Sequence, residues 1–261
     1  MKIWRVALPD EDRPALYPYK RGCWCPRWLS PSDPGYDPNC EPNIDLEFRH
    51  DLLEDIQVDL PPVFVNREAR GIALTWAHQH DIKMRFCKNR QCHVFTRPFK
   101  LERDVLYIAP NRSNDFFVES IDRLEEPDLF DQIVNISPAL ARFAIPRTQL
   151  ETEEDPLREQ FDNFVCLAVL FVIVNTPPPE FPDNEMKVQR WWELRSAEGK
   201  QGRAFLWNHD RRALEWENGE SYIKDEALYR HIEEASKGLI PTLVGNRIRS
   251  FEIRPIFAVR K

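Results

Sequence analysis

Glycine is scarce in this 261-residue chain, with eight residues against 22 prolines. Only Gly199 and Gly202 fall within four positions of each other. No glycine-rich loop is therefore present to wrap backbone amides around a phosphate, and no dinucleotide fingerprint follows a strand. The familiar nucleotide-dependent enzymes are excluded on that count. Cysteine is sparse as well, and six in a chain of this length do not make a disulfide scaffold of the secreted type. The longest apolar run, 164–174, has eleven residues, about half of the ~20 that a membrane-spanning helix needs. No charged-then-apolar leader opens the sequence. These absences lead to the expectation of an intracellular protein, cytoplasmic or nuclear, with reduced thiols and no membrane partner.

What is present is unevenly distributed. The net charge of −7 resolves into blocks: −5 over 1–62, +5 over 63–110, −11 over 111–186 and +4 over 187–261. A generally basic nucleic-acid binder does not look like this, but a local basic patch is available. Lys83, Arg85, Lys88, Arg90, Arg97, Lys100 and Arg103 interleave with Phe86, Phe95 and Phe99. On strands, such a mixture can stack single-stranded RNA bases. Ordinary alternation would instead turn the phenylalanines into the core.

Hydrophobic periodicity predicts an α+β fold, with mixed helices and short strands around one main sheet and a β-rich C-terminal part. Ile3, Trp4 and Leu8 fit one face of a short helix that Pro9 ends. Residues 9–43 hold eight prolines and read as irregular over most of their length. Val65, Ala69, Ile72 and Trp76 recur at helical spacing, which predicts a helix over 62–78. Gly71 in its middle suggests close approach by a neighbour. Strands are predicted at 82–86, 93–99, 104–110, 133–136 and 167–174, with helices at 115–131 and 156–164. The strand-like runs 203–207 and 213–216 follow, then a helix over 224–237 with Gly238 as its C′ residue. A final strand over 248–259 is broken by Pro255. The PPPEFP stretch at 177–182 is linker-like, which divides the chain into 1–175, a linker at 176–186, and a C-terminal α+β extension at 187–261.

Three segments carry a family resemblance. They are KIWRVALP near the start, VFVNREARGIAL at 63–74 and LERDVLYI at 101–108. Together they resemble the two-EXR domain family, a large fungal group named for two Glu-x-Arg triplets, the first set in an F-box-like motif. Ile3, Trp4, Ala7, Leu8 and Pro9 match the end of that first motif, whose opening half would lie before Met1. Val65, Asn66, Arg67, Glu68, Ala69, Arg70, Ala73 and Leu74 match the second, and Asp104, Leu106 and Tyr107 match the strand after it. The resemblance covers roughly 1–175. It implies a protein-interaction role, with Asn66, Arg67, Glu68, Arg70, Asp104 and Tyr107 as motif residues, structural or partner-binding, and it implies no established reaction. The triplet itself occurs five times in the chain, so only the extended context around Glu68 is specific.

On a helix, Glu68 and Arg70 do not face each other, whereas Arg67 and Arg70 share a side at i, i+3. A carboxylate such as Asp104 could bridge those two arginines, giving either a scaffold ion pair or an anion- or partner-binding site. Cys87, Cys92 and His93, with His78, His80 and Asp81 upstream, could approach a zinc ion, although C-x4-C-H is not a standard knuckle spacing. Cys23 and Cys25 with Cys40 and His50 offer a second metal set, or a Cys–His pair for nucleophilic chemistry. Cys166 lies within the longest apolar run and reads as core. Runs of paired carboxylates read as solvated faces, and tryptophans such as Trp191, Trp192, Trp207 and Trp216 as core or interface anchors. The expectation is a non-catalytic interaction module with a protein partner and no cofactor or catalytic residue. The alternatives are an enzyme of unrecognised class with a site near the Arg67–Arg70 helix, or a zinc- or RNA-binding protein.

Overall fold

The computed structural model describes residues 4, 6–9, 13–39, 43–87, 91–136, 138–152, 157, 161–175, 189–195, 203–218 and 223–261. The fold is α+β. In chain order the strands are β1 (Leu16–Pro18), β2 (Trp24–Trp28), β3 (Ile44–Phe48), β4 (Ile56–Val58), β5 (Lys83–Cys87), β6 (Cys92–Arg97), β7 (Val105–Tyr107) and β8 (Val134–Ile136). They continue with β9 (Arg142–Pro146), β10 (Val169–Ile173), β11 (Gln189–Arg190), β12 (Trp192–Arg195), β13 (Phe205–Asn208), β14 (Ala213–Trp216) and β15 (Glu252–Arg260). The helices are α1 (Arg67–Gln79), α2 (Ser113–Leu124), α3 (Arg147–Thr152), α4 (Glu226–Ser236) and α5 (Ile240–Gly245).

The main sheet has eight strands in the order β1-β7-β9-β10-β15-β13-β14, with β12 also paired to β15. Its centre is parallel: β1 to β7, β7 to β9, β9 to β10 and β10 to β15. Sheets of that kind are covered on both faces, and β10 (VLFVI) accordingly reads as an unbroken apolar run. Alternate residues feed two cores. Tyr17, Leu106, Phe143, Leu170 and Val172 join the larger, and Leu16, Val105, Ala144, Phe171 and Ile173 the smaller. In the larger core Phe116, Phe143, Phe161 and Phe164 pack edge-on and stacked, with centroids 4.8–6.2 Å apart, which is favourable quadrupole geometry. Two smaller sheets, β11-β4-β6-β5 and β2-β3-β8, flank the main one.

Among its described residues the proline-rich stretch 9–43 is mostly irregular, as expected, with the short β1 and β2 set within it. Pro26 is tolerated because β2 is an edge strand. Other expectations need correction. Pro255 does not break β15. On the flank away from β10, β15 pairs with β13 at Glu252 and Ile253 and with β12 from Phe257 onward. The missing amide thus falls where that flank changes partner. Gly238 is not a C′ residue, because a 3-10 turn over Lys237–Leu239 leads from α4 into α5. Of the helix expected at 156–164, residues 161–163 form a turn. The remainder, apart from Leu157 and Phe164, lies outside the described residues, as do Ile3 and the expected linker at 176–186. Strands from both sides of that linker pair in the main sheet, with β15 lying between β10 and β13.

Candidate functional site

α1 begins later than its periodicity suggested. Pro61–Phe64 form a 3-10 turn, and Asn66 caps the helix proper by accepting the Ala69 amide at 2.8 Å. That capping contact satisfies one of the orphan donors of the first turn. Ala69, Ala73 and Ala77 are the buried stripe, small enough to let the helix backbone lie close to its support. Arg67, Glu68 and Arg70 are all exposed.

Gly71, Ile72, Thr75, Trp76 and Gln79 line the flank of α1 and, with Leu8 and Pro9, enclose a groove of about 500 Å³. Arg67 stands four positions before Gly71 and Glu68 four before Ile72, so the charged first turn continues the groove-lining face. A Cβ placed on Gly71 would meet nothing within 4 Å. The close approach expected at this glycine is absent, and open groove takes its place.

Asp104 does not bridge Arg67 and Arg70. It is fully buried and accepts from the amides of Ala15 (3.1 Å) and Lys100 (2.9 Å) and from the guanidinium of Arg97. Arg103 Nε lies 3.7 Å from the same carboxylate. Arg97, 0% exposed, sits with its guanidinium carbon 5.4 Å from the Trp191 ring centroid. The Tyr17 hydroxyl donates toward the carbonyls of Arg97 and Pro98, each at 2.9 Å. Burial pushes the Tyr17 phenol well above its ordinary range, and Asp104 adds to the effect. Tyr107, in β7, is buried, and its carbonyl accepts the Tyr19 amide at 2.7 Å.

The structure therefore separates the motif residues into two groups. Asn66, Arg67, Glu68 and Arg70 open an exposed helix, whereas Asp104 and Tyr107 are interior. Arg97, expected among the cations of the basic patch, is interior. The alternation that turns Phe95 inward also turns Arg97 inward, and that was the signal available.

Two further buried carboxylates were not anticipated. Glu119 of α2 accepts from the Tyr19 hydroxyl and from the amides of Gly22 and Cys23, pinning the chain ahead of β2. Glu193 of β12, also 0% exposed, has Arg13, Arg195 and Lys261 at 3.5, 3.2 and 3.6 Å. Its backbone bridges Ala15, whose amide is held by Asp104. Both ties are structural, since a buried carboxylate without such partners would be costly.

The other candidates fare unevenly. Cys87 and Cys92 are Cα partners across β5 and β6, but His93 is one residue on and so belongs to the opposite face. It pairs instead with Phe86, ring centroids 5.3 Å apart. Among the described residues no group of three or more His, Cys, Asp or Glu is placed to hold a metal ion. Burial first, then Glu119, pushes the Cys23 thiol up to about 12, the wrong direction for a nucleophile. Cys40 lies outside the described residues, and His50 lies against Phe99, centroids 5.6 Å apart. Cys166, expected in the core, is exposed. It sits in a turn whose buried anchors are Phe164 and Leu167. In the basic stretch, Phe95 and Phe99 are buried and unavailable for stacking, and Arg85 is 2.8 Å from Asp55. Lys88 and Arg90 are outside the described residues.

No helix among the described residues is long and apolar enough to cross a membrane. No family model, curated protein or solved structure matches the chain.

Proposed function

We propose that this chain is a non-catalytic protein-interaction module of the two-EXR type, and that a partner segment docks in the groove along α1. The observation that carries the reading is the conjunction on one helix flank of an uncharged groove and an exposed charged turn. Among the described lining residues of the groove none titrates, so the site is suited to holding a side chain rather than to moving a proton. Ile72, Trp76 and Leu8 supply apolar contact, while the Thr75 hydroxyl is engaged with the Gly71 carbonyl at 2.9 Å. Arg67 on the groove-lining face and Arg70 at i, i+3 from it outnumber Glu68 and set the sign of the partner. A segment with an apolar anchor and a neighbouring Asp or Glu would bury the anchor and place its carboxylate against a guanidinium fork.

The test is selection of random displayed peptides on the full chain. Enriched peptides should pair a bulky apolar residue with Asp or Glu. Their binding should weaken about tenfold or more, roughly 1.4 kcal/mol, in an Arg67→Glu/Arg70→Glu variant and in Gly71→Leu, which fills the groove without touching the core. Binders indifferent to both variants, or no enrichment above an unrelated bait, would sink the proposal.

A further inference from the structure

A second recess, of about 410 Å³, lies between the β13–β14 turn and the end of α5, lined by Trp207, His209, Asp210, Arg212, Val244 and Arg247. We infer that it is a binding site for a terminal phosphate group, held between the guanidinium forks of Arg212 and Arg247.

The argument starts from backbone conformation. Arg212 and Arg247 have φ of 52° and 54°, in the left-handed region where a side chain is penalised and glycine or asparagine is usual. Arg247 occupies the C′ position of a complete Schellman cap. The Ile248 amide reaches the Leu243 carbonyl at 3.0 Å and the Arg247 amide reaches Val244 at 3.1 Å, the two bonds that define the motif. Arg212 ends the four-residue turn from Asn208 to Ala213, held by the Arg211 amide on Asn208 Oδ1 at 3.1 Å. Two turns thus place arginine where glycine would be less strained, and both arginines line one recess. Strain retained by surrounding structure points toward function when such outliers converge. Of the other residues at positive φ, Asp81 and Asp131 are of a type that visits this region more readily, and Gln91 lies at the β5–β6 hairpin, outside the recess lining.

The two walls are tied together. The Trp207 indole N–H donates to the Ile248 carbonyl at 2.8 Å, and His209 Nδ1 lies 3.2 Å from the same oxygen. The recess is therefore fixed by a buried bond rather than formed by chance between mobile loops. Its cations are also uncommitted. Arg211 in the same turn pairs with Glu215 at 3.0 Å, whereas Arg212 and Arg247 make no ion pair among the described residues. Asp210 is the acidic member of the described lining, so the two arginines leave the recess net positive.

Two guanidinium forks suit a tetrahedral dianion better than a carboxylate, which one fork satisfies. A recess closed by a turn on one side and a helix end on the other admits a monoester or free phosphate end-on. A diester backbone, with a substituent on each side, has to pass through.

The test is calorimetric titration of the full chain at constant ionic strength with inorganic phosphate, a phosphoserine peptide, its unphosphorylated form and a short oligonucleotide. Phosphate and the phosphopeptide should bind saturably. Binding should fall about tenfold or more in an Arg212→Gly/Arg247→Gly variant whose melting temperature is equal to or above the parent's, because glycine relieves both left-handed positions. Phosphate binding without any gain from the peptide would assign the site to a free phosphate and still support it. Equal binding by the glycine variant, heat only from the oligonucleotide, or no saturable heat at all would overturn the assignment.

Discussion

Asp104 caps two backbone amides and neutralises a guanidinium that has no access to water, so its removal leaves Arg97 charged and buried with its main counter-ion gone. Breaking a pair of this kind costs about 3–5 kcal/mol, a large share of the 5–15 kcal/mol that holds a typical domain together. Asp104→Ala is therefore expected to lower stability by about that amount in urea unfolding followed by circular dichroism. Arg67→Ala, on an exposed position, should stay within about 0.5 kcal/mol. Equal losses would mean that the two motif positions do the same structural work, against the geometry. The Glu-x-Arg triplets make a related point. In strands, residues two apart share a face, and Glu193–Arg195 and Glu252–Arg254 do pair, at 3.2 and 2.6 Å. In α1 the same spacing splays Glu68 and Arg70 apart, so this triplet does not close on itself as the two strand triplets do.

Elements whose pattern is local were readable in the sequence. The helix expected over 62–78 overlaps α1, although of the face expected to be apolar only Ala69 joins the buried stripe with Ala73 and Ala77, while Ile72 and Trp76 line the groove and Val65 is exposed. β10 announces itself as a buried apolar run. The close neighbour expected at Gly71 followed from the cost of glycine inside a helix, which a tight contact would offset. The groove beside it shows that the residue is neither in a left-handed conformation nor under a neighbour. Gly71→Ala is accordingly expected to raise stability by about 0.5–1 kcal/mol, through lower unfolded-state entropy and better helix propensity. Denaturant midpoints at unchanged m-value would show it, and a loss of stability would mean that the groove is tighter than its 4 Å clearance. What depends on a distant partner was not readable. Nothing near Pro255 signals that its strand exchanges one neighbour for another at that residue, and nothing near Asp104 selects Arg97 over Arg67 and Arg70. In the candidate sites, the motif singles out the start of α1 but not its environment, since the Asp104 bridge expected there is replaced by an exposed turn and a carboxylate buried elsewhere. The convergence of Arg212 and Arg247 on one recess was not legible either, since 34 intervening residues separate two turns that meet only in three dimensions.

The order of the main sheet decides how the whole chain holds together. β15 is nearly the last segment of the sequence, yet it pairs over five residues with β10 and carries β13, β14 and β12 on its other flank. Without it, β10 becomes an edge whose row of amides and carbonyls belongs to a strand of Val, Leu, Phe and Ile with no charge to protect it, a template for aggregation. The buried Glu193 adds to the dependence. It sits on β12 against Arg13 and Lys261, near the two ends of the described chain, and its bridge at Ala15 adjoins the amide that Asp104 holds. A chain ending at 175 would therefore lose a central strand, a buried ion cluster and the Trp191 ring over Arg97. Expressed alone, residues 1–175 should be insoluble or fail to give a cooperative unfolding transition, and co-expressed residues 187–261 should restore a soluble complex. A cooperative transition of 1–175 by itself, at a midpoint near that of the whole chain, would show that β10 tolerates exposure and that the C-terminal strands are an addition to a self-sufficient fold.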